Sequence, residues 1–270
     1  MVRFKHILSV ATVLVLSAVI SFAMWRHAGE SLVSYDGEDY SKDIALSAPA
    51  MIQYAQKWAY SRNPQFYHYT LDCANFTSQI LYAGGLPMIK VPGKAWYHYS
   101  RYEICGLGSI TGIEHRCRRW YVSRSWTFVD DFREWIVKRV KMADATYIGV
   151  PMDRWHTPVV FEDYLNEYVK NGVAILQVDL NGVRGPDHNV FLYKKDGHWY
   201  IAAHSPDMND TISRLWTPFI FAKKVWLIRI YNVLHPEEYN ANRRRYIWQE
   251  IFMKRIFPRV PLISIGLFPH

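Results

Sequence analysis

Leu71-Asp72-Cys73-Ala74-Asn75-Phe76-Thr77-Ser78-Gln79, followed by Ile80-Leu81-Tyr82-Ala83-Gly84-Gly85, is the stretch on which the reading of this chain turns. Asp72 is a good N-cap, so a helix is expected to begin at Cys73, with Phe76, Ile80 and Ala83 on one face and Gly84-Gly85 and Pro87 ending it. At a helix start the free backbone N–H groups and the positive end of the dipole stabilise an anion. A cysteine there commonly titrates below the ~8.5 of a free thiol, and the thiolate is the nucleophilic form. Cys73 is therefore the candidate nucleophile; a small residue buried under a capped helix is the plain alternative.

The chain has three cysteines: Cys73, Cys105 and Cys117. The last two bracket a short polar loop that a disulfide can close in an oxidising compartment, which would leave Cys73 as the odd, reactive thiol. The N-terminus suits export. Arg3, Lys5 and His6 precede an uncharged, almost wholly apolar run from Ile7 to Trp25. Its length is near the ~20 residues that span a bilayer. Ser21-Phe22-Ala23 offers small residues at cleavage spacing, so residues 1–31 are read as a signal peptide or an N-terminal membrane anchor, with the remainder outside the cytoplasm.

Of the 270 residues, half are hydrophobic, with eleven Trp and nineteen Tyr, so a sizeable core is expected and disorder is not. The net charge of +8 favours an anionic partner such as a cell-wall polymer or a membrane surface. Nucleic acid is not expected, because no zinc-finger, helix-turn-helix or single-strand-binding signature is present.

Residues 32–46 read as a linker. Ser47-Ala48-Pro49 starts a helix with Ile52, Ala55, Trp58 and Ala59 on one face, and Arg62-Asn63-Pro64 stops it. A loop-rich middle follows, containing Trp96-Tyr97-His98-Tyr99 and the Cys105–Cys117 segment. Ser125 then caps a helix whose Trp126, Val129, Phe132, Trp135 and Ile136 are assigned to the core. From Val173 the period changes to strands over 173–178, 188–193, 199–204 and 225–230, with a turn at Asn181-Gly182. Helices first and strands afterwards give an α+β domain over 47–235. Residues 236–270 form a basic tail, Arg243-Arg244-Arg245 and Lys254-Arg255 flanking apolar positions. It reads as an amphipathic helix, either at a membrane surface or packed on the domain.

Lys195-Asp196-Gly197 reads as a three-residue hairpin loop. Lys194 then pairs with His198, and His188 lies opposite His204 on one face of the sheet. A register shifted by one residue pairs His188 with Ser205 and sends His204 to the other face. In the first register a nucleophile–base arrangement follows, with His188 taking the proton of Cys73 and His204 orienting the His188 ring. A metal site on His188, His198 and His204 lacks a carboxylate or cysteine partner at ligand spacing, and no cofactor is expected.

The run Asp72 to Gln79, then Leu81-Tyr82-Ala83-Gly84-Gly85 and Pro87-Met88, closely resembles the putative amidase domain of bacterial proteins, related to papain-like cell-wall amidases and endopeptidases including the CHAP type. Tyr54-Ala55, Asn63-Pro64, Trp96-Tyr97, Ser125-Trp126, Asp187-His188 and Ala203-His204-Ser205-Pro206-Asp207 fit the same pattern, so that it covers roughly residues 47–215. The resemblance implies a papain-like cysteine hydrolase fold with Cys73 as nucleophile, His188 as base and His204 as the third, orienting residue. Relatives often show Gly-Asp before the strand leading to the histidine, where this chain has Asn171-Gly172. The expected chemistry is amide hydrolysis through a Cys73 thioester, in cell-wall peptide or another amide substrate. The Cys73 N–H and Tyr69 are candidate oxyanion donors. A wall-binding module without turnover and an acyl or peptidyl transferase are the alternatives.

Overall fold

The computed structural model describes residues 44–107, 114–155, 157–182, 185–216 and 220–234. The expectations for residues 1–31, for the linker up to residue 43 and for the tail from 236 lie outside these. Among the described residues no helix is long and apolar enough to cross a membrane.

Strand β1 (Leu46–Ser47) leads directly into helix α1 (Ala48–Trp58). Ser47 caps that helix, its Oγ accepting from Ala50 N at 3.3 Å, and Pro49 lies in the first turn. Met51 joins Ala48 and Ala55 on its buried face, whereas Ile52 and Trp58 are only partly buried. Helix α2 (Cys73–Ala83) begins and ends as expected and buries Cys73 to Leu81 continuously.

The middle of the chain is not loop-rich. β2 (His98–Leu107) and β3 (Glu114–Val122) pair antiparallel as a two-stranded ribbon, and Cys105 and Cys117 are bonded near its far end. Alternating Tyr, Arg and Ser in a stretch lacking a continuous apolar run hid these strands. Instead of one helix capped by Ser125, α3 (Arg124–Thr127) follows Ser123, and α4 (Val129–Glu134) runs on as a π-helical turn over Trp135–Arg139. Trp126, Phe132, Trp135 and Ile136 are fully buried, as assigned.

The main sheet has six strands, ordered β4-β9-β5-β6-β7-β8 and antiparallel throughout. The expected four are β5 (Val173–Asp179), β6 (His188–Lys195), β7 (His198–Ala203) and β9 (Lys224–Ile230). β4 (Ala143–Gly149) and β8 (Met208–Thr211) complete it. Helices α5 (Pro151–Arg154) and α6 (Pro158–Tyr168) lie between β4 and β5, and β10 (Val233–Leu234) closes the fold by pairing parallel with β1. Leu46, assigned to the linker, is therefore a fully buried strand residue.

Three layers result. Val173, Ile175, Phe191, Tyr193, Ala202 and Ile228 face one cluster with Met51, Phe76, Ile80 and Trp135. Ala174, Leu176, Leu192, Ile201 and Leu227 face the other, with Phe161 and Leu165 of α6. β5 is buried on both faces, which explains its apolar run from Val173 to Leu176 and the hydrogen-bonded Gln177 that follows it.

The hairpin between β6 and β7 settles the register. Lys195 pairs with His198 and Lys194 with Trp199, so the loop is two residues, Asp196-Gly197, both at positive φ (49° and 83°). Asp-Gly is the sequence for a two-residue turn of this hand. Continued outward, the register sets His188 against Ser205, and His188 and His204 occupy opposite faces. The adjacency that follows from a three-residue loop does not occur.

Candidate active site

Cys73, the free cysteine among the described residues, sits at the first helical position of α2 and is 5% exposed. Asp72 precedes it but does not cap the helix with its side chain. Its fully buried carboxylate is used elsewhere: Oδ1 accepts from Tyr69 N (3.0 Å) and Asn75 Nδ2 (2.7 Å), and Oδ2 from His204 Nδ1 (2.7 Å), with Arg62 Nε at 3.2 Å. Arg62 also forms a two-pronged pair with Asp207, at 3.0 and 2.7 Å.

His204 is held on both nitrogens. Nε2 faces the Trp58 carbonyl at 2.8 Å, and the ring stacks on Phe76 with centroids 3.8 Å apart. Both of its partners are acceptors, so making both bonds requires a proton on each nitrogen. His204 therefore ties α1, α2 and β7 together through Asp72 rather than orienting His188. Ser205 adds to this tie, accepting from Asp72 N (3.1 Å) and donating to Thr70 O (2.9 Å).

Most polar residues of the Cys73 stretch are satisfied structural groups. Trp126 Nε1 donates to Asn75 Oδ1 (2.8 Å), Ser78 Oγ donates to Trp126 O (2.9 Å), and Thr77 Oγ1 donates to Cys73 O (2.9 Å). Tyr54 Oη donates to Gln79 Oε1 (2.7 Å) and accepts from Asn63 Nδ2 (2.9 Å).

The Cys73 thiol meets β6. Burial pushes its titration above the ordinary thiol range; the N–H groups of Asn189, Ala74 and Cys73 itself pull the other way without cancelling the burial. The depressed thiol expected at a helix start is thus not found, because desolvation outweighs the dipole. His188, next to Asn189, is 8% exposed, and burial lowers it to about 4, with Asp187 opposing weakly. Its Nε2 has no hydrogen-bond partner among the described residues. Strand alternation sets His188 on the face of Val190 and Leu192, while Asn189 and Phe191 face α2. Cys73 and His188 are thus neighbours across one strand residue, both neutral at pH 7 and not hydrogen-bonded to each other.

Asp187, just before His188, accepts from Leu180 N (3.2 Å) and Asn181 Nδ2 (2.7 Å), fixing the entry to β6. Asn189 Oδ1 accepts from Gln177 Nε2 at 2.9 Å, leaving Asn189 Nδ2 and Gln177 Oε1 without partners among the described residues. The local turn at Asn171-Gly172 is closed by Asn171, which accepts from Val173 N (3.3 Å) and donates to Ile230 O (2.8 Å). His98 is 1% exposed, has no hydrogen-bond partner on either nitrogen among the described residues, and is lowered by burial to about 4. Sequence reasoning missed the Asp72 network, Ser205, Asn189 and His98; the Asp just before Cys73 and the Ser just after His204 were the available signals. A surface depression of about 380 Å³ lies beside α6, lined by Arg154, Trp155, Val160, Asp163, Tyr164 and Glu167, and none of the candidate residues borders it. No cluster of three or more His, Cys, Asp or Glu suited to a metal occurs among the described residues.

Fold and site together define a mixed α and β domain built around one buried cysteine at a helix start, packed on an antiparallel sheet. The chain belongs to the family described as putative amidase domain, whose model matches residues 46–228. It is 33% identical over 78 residues to the uncharacterized protein YhbB of Bacillus subtilis (strain 168), a match covering 26% of this chain and 25% of that protein. The chain thus spans about a quarter of the length of the relative it matches. No solved structure matches it.

Proposed function

We propose that this protein is a cysteine-dependent amide hydrolase, acting outside the cytoplasm on peptide amides of cell-wall material and built on a papain-like plan. One observation carries the reading: in a chain of an amidase family, the cysteine that is free among the described residues heads α2 and is wedged against β6, one residue from a histidine whose Nε2 has no partner among those residues. Cys73 Sγ attacks the carbonyl carbon as its proton passes to His188 Nε2. The oxyanion is met by the Cys73 N–H, with the Tyr69 hydroxyl as candidate second donor; burial and Asp72 keep that phenol protonated. The C–N bond then breaks, the amine leaves with the proton from His188, and water, with His188 as base, hydrolyses the thioester. His204 acts as a positioning residue, holding Asp72 and with it the start of α2. Because thiol and imidazole are apart and neutral at rest, the reaction requires the His188 ring to swing around the start of β6 when substrate binds.

That same separation favours a second reading, a wall-binding module without turnover. Incubation with purified wall peptides, following release of free amine and carboxylate together, separates the two. The hydrolase reading expects release that Cys73→Ala and His188→Ala each reduce at least about a thousandfold. Intact binding with no release by the unaltered protein gives the binding module, and amine release without a matching carboxylate gives a transferase.

A further inference from the structure

The ribbon of β2 and β3 stands apart from the main sheet, and the reaction above makes no use of it. Its register puts Ser100 opposite Trp120, Tyr102 opposite Arg118 and Ile104 opposite Arg116, so these six share one face. That face is unusually open for its composition: Tyr102 is 69% exposed and Ile104 55% exposed, and Arg116 and Arg118 are exposed as well. The Arg118 guanidinium lies 4.0 Å over the Trp120 ring, held there by bonds to Ser100 Oγ (2.8 Å) and the Pro64 carbonyl (3.2 Å). At its base the row continues into Tyr67, 45% exposed, whose ring lies 6.0 Å from Trp120. Tyr67 and Tyr69 are in turn tied to the first turn of α2, through Asn75 Nδ2 to Tyr67 O (2.9 Å) and Tyr69 N to Asp72 Oδ1 (3.0 Å). The row from Trp120 to Ile104 covers about 13 Å at the usual strand rise and leads toward the helix that carries Cys73.

We propose that this face, Tyr67, Trp120, Tyr102, Arg118, Ile104 and Arg116, is a docking surface for an acidic polysaccharide strand. Flat, rigid, amphipathic rings suit the apolar faces of sugar rings. Guanidinium groups interleaved between them suit carboxylates carried on those sugars, with the planar fork that lysine lacks. The disulfide between Cys105 and Cys117 stiffens the same ribbon and belongs to an oxidising compartment, where the long polyanions within reach are extracellular glycans rather than nucleic acids. The row is mostly rings and guanidinium, with Ile104 its one aliphatic side chain, which favours a sugar strand over a bilayer. The proposal does not depend on Cys73 being a nucleophile.

The test uses the full chain carrying Cys73→Ser, so that binding is read without turnover. The ligands are soluble polygalacturonate, neutral dextran of matched length, and phosphatidylglycerol vesicles. Expected is binding of polygalacturonate at least about tenfold tighter than dextran, weakened about tenfold by Tyr102→Ser, which removes a ring but no charge. Arg118→Gln should weaken it further and flatten its salt dependence. Tyr102 is mostly exposed, so its variant keeps the test valid even where Arg118→Gln disturbs the ribbon. Equal affinity for dextran, insensitivity to Tyr102→Ser, or preference for the vesicles would each overturn the proposal, the last in favour of a membrane surface. Retained binding alongside absent amide hydrolysis would leave this surface standing and remove only the hydrolase reading.

Discussion

At Cys73 two effects of opposite sign meet, and burial is the larger. The helix start and three nearby N–H groups favour the thiolate, but a side chain only 5% exposed pays more in lost hydration. Alkylation mapped to Cys73 should therefore accelerate only in the alkaline range, above that of an exposed thiol; a plateau of reactivity at neutral pH would contradict the burial argument. On the proposed mechanism Cys73 and His188 would then rest as a neutral pair and move the proton only during attack. Asp72 presents the reverse case, a fully buried charge with every lone-pair direction used. Removing it strips the buried His204 Nδ1 of its partner and leaves Arg62 with Asp207 alone, so Asp72→Ala should cost about 3–5 kcal/mol in denaturant unfolding. A loss below 1 kcal/mol would mean that the network does not hold α2 in place.

Among the elements, α2 and the four central strands were legible because each has a single strong period or a continuous apolar run with clear terminators. β2, β3, β4 and β8 were not, because strands half open to solvent or at a sheet edge carry polar and aromatic residues without strict alternation. The site was legible in part. Cys73 was marked by the helix start, although Asp72 uses its carboxylate on other partners than the cap, and the partner of His204 was not legible, since one residue in a hairpin loop decides which face it takes. Asp196-Gly197 could be read as the end of a three-residue loop or as a whole two-residue turn, and only the structure distinguishes them. The turn can be tested directly. Gly197 has φ of 83° and open space around an added Cβ. Gly197→Ala should thus cost about 1–2 kcal/mol from conformation alone, read as a shift in unfolding midpoint without a change in slope. A neutral outcome would mean that the turn relaxes to another type.

For the whole molecule, stability should depend on pH through two buried neutral histidines. His98 and His188 titrate at about 4 in the fold, against an ordinary value of 6.5. Above 6.5 both are neutral whether folded or not, and they contribute no pH dependence. Between 6.5 and 4 the unfolded chain binds the extra protons, so stability falls as pH falls, on the order of 3 kcal/mol per histidine across that window. His98→Phe, filling the same ring-lined site without a titrating group, should remove about half of the loss; an unchanged profile would show that other groups set the acid limit.

Whether amide hydrolysis runs through a thioester on Cys73 can be read by acid-quenching the protein during incubation with a wall peptide and mapping its peptides by mass. Expected is a mass increment equal to the acyl half of the substrate on the peptide containing Cys73, absent in Cys73→Ser. Amide hydrolysis that proceeds in Cys73→Ser at the unaltered rate, with no such increment in the unaltered protein, would contradict the thioester route.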